Sequence, residues 1–220
     1  MQAEKDMKIG LYLRNMGPQS TRVLIVPYRP ALLMAKWVAS IQELSGGRLI
    51  LGVGVGWMGK EFRALGVDPR RRGAITDATL AFLHQCFERD EVEANGQTFL
   101  FRPRPPRPPI IVGGAPPHAI RRAVRFGEGW MPTAMHADVL ETGIASLREG
   151  MAAAGKPAPE VALLQALPVE DDARLASRLG ELAALGVTRI VHPWRYRSAE
   201  EVARLAARLA AARDALAPPA

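Results

Sequence analysis

Residues 34–57 read MAKWVASIQELSGGRLILGVGVGW. Met34, Trp37, Val38, Ile41 and Leu44 recur at helical spacing, and Gly46-Gly47 supplies the left-handed residues that close a helix. Leu49 to Val55 then forms a short, nearly unbroken apolar run. A strand buried on both faces looks like this, and such strands belong to parallel sheets covered by helices.

The same helix-and-strand unit recurs on both sides. Ile9 to Leu13, Val23 to Val26, Pro109 to Val112, Gly129 to Pro132, Val161 to Leu167 and Thr188 to His192 are further apolar runs. Between them lie helical faces: Ile75, Thr79, Phe82, Leu83 and Cys86; Pro117 to Phe126, opened by prolines and stopped by Gly127; Leu140, Ile144, Leu147 and Met151; Leu175, Leu179, Leu182 and Leu185. Ser198 and Glu201 have the spacing of a capping box for a last helix. Strand and helix alternate to the end, which predicts an α/β chain with a parallel sheet. About seven strands and six helices favour a barrel, with a doubly wound open sheet as the alternative. The 220 residues suit a single domain, 1–220, at the low end of barrel size.

Two segments break the alternation. Asp90 to Pro108 has no helical pattern; Glu91 to Phe101 reads as a hairpin around Asn95-Gly96, followed by a proline- and arginine-rich run expected to be extended and exposed. Arg14 to Arg22 is too short for an ordinary parallel crossover, which needs about a dozen residues or more. The first strand is therefore joined either by a hairpin through Gly17-Pro18 or by an extended link that leaves a gap.

The formal net charge is +7, but the basic residues are spread and form no stripe with interleaved aromatics, so nucleic acid is not the expected partner. The one cysteine, Cys86, lies on an apolar helix face and reads as a small buried hydrophobe. Met1 to Lys8 is polar and no apolar run reaches the length of a membrane span, so a cytoplasmic protein is expected. His84, His118, His136 and His192 do not pair at metal spacing; His84 reads as a solvated helix residue, and His192, beside Trp194 at the end of the last strand, is a weak site candidate.

Gly52, Gly54 and Gly56 alternate in a spacing that does not match the dinucleotide fingerprint. They mark either close approach of a ligand to the backbone or room for bulky neighbours. Gly113-Gly114-Ala115 makes a strand-to-helix turn of the kind that receives phosphate, although Pro116 and Pro117 carry no N–H and Ala115 no hydroxyl. His118 and Arg121 are the residues that could compensate. No nucleophile elbow, Walker loop or carboxylate pair is present, which fits a protein whose cofactor carries the chemistry.

These motifs in order resemble the luciferase-like monooxygenase family. The resemblance rests on Gly46 to Trp57, Glu61-Phe62, Ala64-Leu65-Gly66, Arg72-Gly73 with Asp77, Pro108 to Gly114, Ala123, Gly127 to Pro132, and Pro27-Tyr28-Arg29 with Ala35-Lys36. It implies a TIM-type (β/α) barrel, here incomplete, because the family's first helix, second strand and second helix have no counterpart. It implies the deazaflavin coenzyme F420 or FMN, with Leu24, Ile25, Val53, Gly54 and Val55 lining the ring and Gly113, Gly114 and Ala115 receiving the phosphate. It implies hydride transfer or oxygen-dependent monooxygenation of a small-molecule substrate. No catalytic residue is assigned, since the missing stretch is the one that carries the family's proton-handling loop. The open edge left by the deletion points to a homodimer.

Overall fold

A computed structural model describes residues 8–13, 24–132 and 136–216. In chain order its elements are β1 (Lys8–Leu13), β2 (Leu24–Ile25), α1 (Ala31–Leu44), β3 (Leu51–Gly54), α2 (Gly59–Ala64), α3 (Arg72–Glu88), β4 (Glu91–Ala94), β5 (Gln97–Leu100), β6 (Ile110–Gly113), α4 (His118–Phe126), β7 (Gly129–Met131), α5 (Ala137–Ala153), β8 (Glu160–Leu164), α6 (Asp172–Leu185), β9 (Arg189–Trp194) and α7 (Ala199–Asp214). The chain divides into two compact units and passes between them four times.

One unit holds β1, β7, β8, β9, most of α4, and α5 to α7. Its strands pair in parallel in the order β1-β9-β8-β7. Trp130 and Val161 are register partners, so Trp130, Val161 and Leu163 share a sheet face. That face is the helix-covered one: a Cβ on Gly143 of α5 would lie 2.6 Å from the Trp130 ring. Trp130 is fully buried, and its indole N–H donates to the Gly114 carbonyl at 2.8 Å. Ile190 and His192 lie on the same face of β9, both buried. On the opposite face, Arg189 pairs with Glu160 of the neighbouring strand. Asp171 caps α6 by accepting from the Arg174 amide, and Gly186 ends it at φ +93°. At α7 the predicted capping pair is present in altered form: Ser198 Oγ accepts from the Glu201 amide, while the Glu201 carboxylate accepts from the amide of Arg197, one residue before the cap.

The other unit holds β2 to β6 and α1 to α3. Its parallel strands run β6-β3-β2, with Leu24 paired to Val53, Ile25 to Gly54, and Val53 to Val112. Gly46 and Gly47 close α1 at φ +62° and +80°, as expected. Gln42, buried on α1, is satisfied on both sides, donating to Pro106 O and accepting from the Leu49 amide. The hairpin forms around Asn95-Gly96 in positive φ. The basic run after it has no helix or strand and is mostly exposed, as expected, yet its arginines are paired. Arg102 and Arg104 both bind Asp90, and Arg107 binds Glu128, whose carboxylate also accepts from the Ile110 amide that opens β6.

Three local expectations change. The second strand stops at Ile25 because Pro27 fixes a one-turn 3-10 helix over Val26–Tyr28. The last strand runs on to Trp194, past His192. His84 is not simply solvated: its Nε2 bonds the Phe126 carbonyl at 2.9 Å. The link at 14–23, on which the hairpin and gap readings differ, lies outside the described residues.

Candidate functional site

Parallel pairing brings the C-terminal ends of β2, β3 and β6 side by side. Leu24 and Ile25 sit on β2, Val53 and Gly54 on β3 with Val55 just beyond it, and Gly113 ends β6. Alternation along a strand then sorts these residues onto two faces. Leu24, Leu51, Val53, Ile110 and Val112 share one face, where the last four are at most 7% exposed. Ile25, Gly52, Gly54, Ile111 and Gly113 share the other. The second face carries three glycines on two adjacent strands, which leaves stretches of backbone without side chains, and Ile25, Gly54, Ile111 and Gly113 on it are buried.

Gly56 answers part of the question left by the glycine series. Its φ is +76°, and a Cβ there would lie 2.8 Å from Ile25 Cγ2 and 3.0 Å from the Phe62 ring. This glycine therefore serves a turn and its packing. Beyond it Trp57 is 80% exposed.

The loop after β2 is held by a bond that sequence reading missed. The Tyr28 hydroxyl donates to Glu61 Oε2 at 2.7 Å, and the Tyr28 ring packs edge-on against Phe62 at 4.9 Å. Burial, and then the Glu61 carboxylate, push the Tyr28 hydroxyl up to about 12, so it stays protonated near neutral pH. Both residues lie within quoted motifs, but 33 positions separate them, so no local pattern links them.

Gly114 and Ala115 follow Gly113 and lead into α4. Gly114 has φ +129°, and the Ala115 carbonyl accepts the Ala119 amide. His118 and Arg121, both exposed at the start of α4, bond each other at 2.8 Å between Arg121 Nη2 and His118 Nδ1. The residues present thus fit a planar ring on the glycine face. At the turn, which the two prolines deprive of donors, a polar pair stands at the helix start.

His192 belongs to the other compact unit. It is 2% exposed, its Nδ1 accepts the Leu167 amide at 2.9 Å, and burial lowers its pKa. A concavity of about 530 Å³ in the same unit is lined by Gln165 to Pro168 and by Arg174, Ser177, Arg178 and Glu181 of α6. It contains none of the expected site residues. It is also wide open, and its Arg178 charge is matched by Glu181 at 2.8 Å.

The chain is similar to several known proteins. An uncharacterised protein of Mycobacterium tuberculosis is 30% identical over 201 residues, covering 87% of this chain and 69% of that protein. An F420-dependent glucose-6-phosphate dehydrogenase of Nakamurella multipartita is 27% identical over 181 residues, covering 73% of this chain and 52% of that protein. Among solved structures, the oxygenating constituent of 3,6-diketocamphane monooxygenase from Pseudomonas putida, in complex with FMN, superposes with a TM-score of 0.57 at 15% identity. That match covers 88% of this chain and 58% of the other and shows the shared fold. The profile described as luciferase-like monooxygenase matches residues 20–218, and the chain belongs to that family.

Proposed function

We propose that this chain is an F420- or FMN-dependent oxidoreductase acting on a small organic substrate. The observation that carries the reading is the register of β2, β3 and β6, which gathers Ile25, Gly54 and Gly113 on one glycine-bearing face at the strand ends. In parallel α/β folds that end is where ligands bind. Two similar proteins of known cofactor, one F420-dependent and one holding FMN, support the cofactor class.

A bound deazaflavin or flavin supplies the hydride or oxygen chemistry. This chain's own residues bind and shape. The glycine face admits the ring, Val55 borders it, and the Gly113-Gly114-Ala115 turn with His118 and Arg121 meets the phosphate. Tyr28 and Glu61 hold the neighbouring loop in place.

We further read residues 1–220 as one domain, because neither compact unit is a continuous piece of chain. We place the protein in the cytoplasm as a homodimer. No helix among the described residues is long and apolar enough to cross a membrane.

Binding without turnover is the second reading. It is favoured by the short stretch 14–23 between β1 and β2, which has no room for a helix, a strand and another helix. Titration of the purified chain with F420 and with FMN, followed by fluorescence, tests both. Saturable binding of one, lost in Gly54→Val, supports the site. Reduction of that cofactor by any donor substrate then selects the enzyme reading, and binding of neither overturns both.

A further inference from the structure

Helix α6 buries Leu175, Leu179 and Leu182 in the core. Beside them Arg174, Ser177, Arg178 and Glu181 recur at helical spacing and share a second, polar face. That face borders the concavity of about 530 Å³, whose other wall is the segment Gln165 to Pro168 just beyond β8. Both walls lie within one compact unit. The segment is held from behind by β9. The Gln165 amide donates to the Val191 carbonyl at 3.2 Å, and the Leu167 amide to His192 Nδ1 at 2.9 Å. Two backbone anchors two residues apart leave the wall little freedom, so the concavity is preformed.

We propose that this concavity binds a small organic carboxylate, with Arg174 as its counter-charge. The acids of α6 and its cap are each engaged. Glu181 accepts from Arg178 at 2.8 Å, Asp172 from Arg208 at 2.7 Å, and Asp171 from the Arg174 amide at 3.0 Å. No acid among the described residues pairs with the Arg174 guanidinium, so the lining keeps one unmatched positive charge. Neutral donors stand beside it. Gln165 accepts from Arg178 through Oε1 at 3.2 Å, which leaves its amide N–H groups to donate. The Ser177 hydroxyl reaches Glu181 only at 3.4 Å and turns easily to a better acceptor. A carboxylate is the anion that a guanidinium fork matches in plane. Ala166, Leu167 and Pro168 line the same space and suit a short aliphatic chain carrying that group.

The inference goes beyond the proposed function, and its test needs neither F420 nor FMN, so failure here leaves the cofactor reading standing. Butyrate is titrated into the isotope-labelled full chain and followed by NMR. The expected result is saturable shifts at the Gln165, Ala166 and Leu167 amides and at the Arg174 Nε–H. The pair is partly solvated, so the dissociation constant should be on the order of 1 mM. Arg174→Gln should weaken binding about tenfold. Glu181→Gln, which removes the one acid of the lining, should tighten it several-fold. Arg204→Gln, which removes an exposed charge on α7, should leave it unchanged. Unchanged thermal melting in each variant excludes misfolding as the cause. Shifts that do not saturate overturn the site. Equal binding of butyramide, which lacks the charge, overturns the ion pair and makes the concavity a simple apolar cleft. Equal weakening by Arg204→Gln reduces the effect to the general charge of the chain and also overturns the proposal. Inorganic phosphate displacing butyrate at a lower concentration than butyrate itself needs overturns the carboxylate assignment.

Discussion

Gly56 and Gly46 both adopt positive φ, yet replacing them should have unequal effects. At Gly46, φ +62°, nothing lies within 4 Å of an added Cβ, so Gly46→Ala meets only the left-handed backbone penalty of about 1 kcal/mol. At Gly56 the same penalty adds to overlap with Ile25 and Phe62, and Gly56→Ala should lose about 2–4 kcal/mol. Urea midpoints of the two variants check the difference, and equal losses would show that Ile25 and Phe62 yield freely. His192 gives a pH effect at the same scale. Burial depresses its folded pKa below the ordinary histidine value of 6.5, with the Gln165 backbone pulling the other way. The unfolded chain therefore takes up a proton that the folded chain resists. The stability it contributes is fully present above 6.5 and is lost as pH falls from there toward the folded value. His192→Asn keeps an acceptor for the Leu167 amide and removes the titration, so its stability should vary less between pH 7 and pH 5. Denaturant titrations at both pH values decide it.

Elements were legible where the side-chain pattern alone determines them. The unbroken aliphatic runs became parallel strands, Asn95-Gly96 became the hairpin turn, and Gly46-Gly47 and Gly186 became helix ends. What the pattern did not carry was long-range. The apolar run reads as ending at His192, but the strand continues through Pro193 because β1 pairs alongside as far as Trp194. The bond between Tyr28 and Glu61 depends on two loops meeting, and the Arg102 to Arg107 pairs on acids distant in sequence. The expected site residues lie on adjacent strands and just beyond their ends, and their sorting onto two faces required the register. Packing of α5 on β7 is a further case: Gly143 reads as a weak helix residue, but the Trp130 ring occupies the place of its side chain. Gly143→Ala should therefore lower stability by about 1–3 kcal/mol, although alanine is the better helix former. Asp171→Ala, which removes only the α6 cap, should cost about 1 kcal/mol. Thermal melts of the pair would expose the reverse ranking if α5 shifts to accommodate the methyl.

At the scale of the whole molecule, the question is whether two compact units behave as two domains. Their make-up argues against it. One unit is assembled from three separated stretches and the other from two, so neither can form without chain that the other also orders. Units joined by one linker unfold independently; units between which the chain passes four times share the loss of chain entropy on folding. Each carries its own probe. Trp130 and Trp194 belong to one unit, and the other holds Cys86, a buried thiol that burial raises to about 11. In Trp37→Phe/Trp57→Phe, fluorescence reports the first unit alone, because the two removed indoles lie in the second. Pulsed thiol labelling along the same urea gradient reports the second, since Cys86 is protected while its helix is packed. The two probes should give one coincident transition. Separate midpoints would show that the units fold as domains in their own right, and the reading of residues 1–220 as one domain would fall.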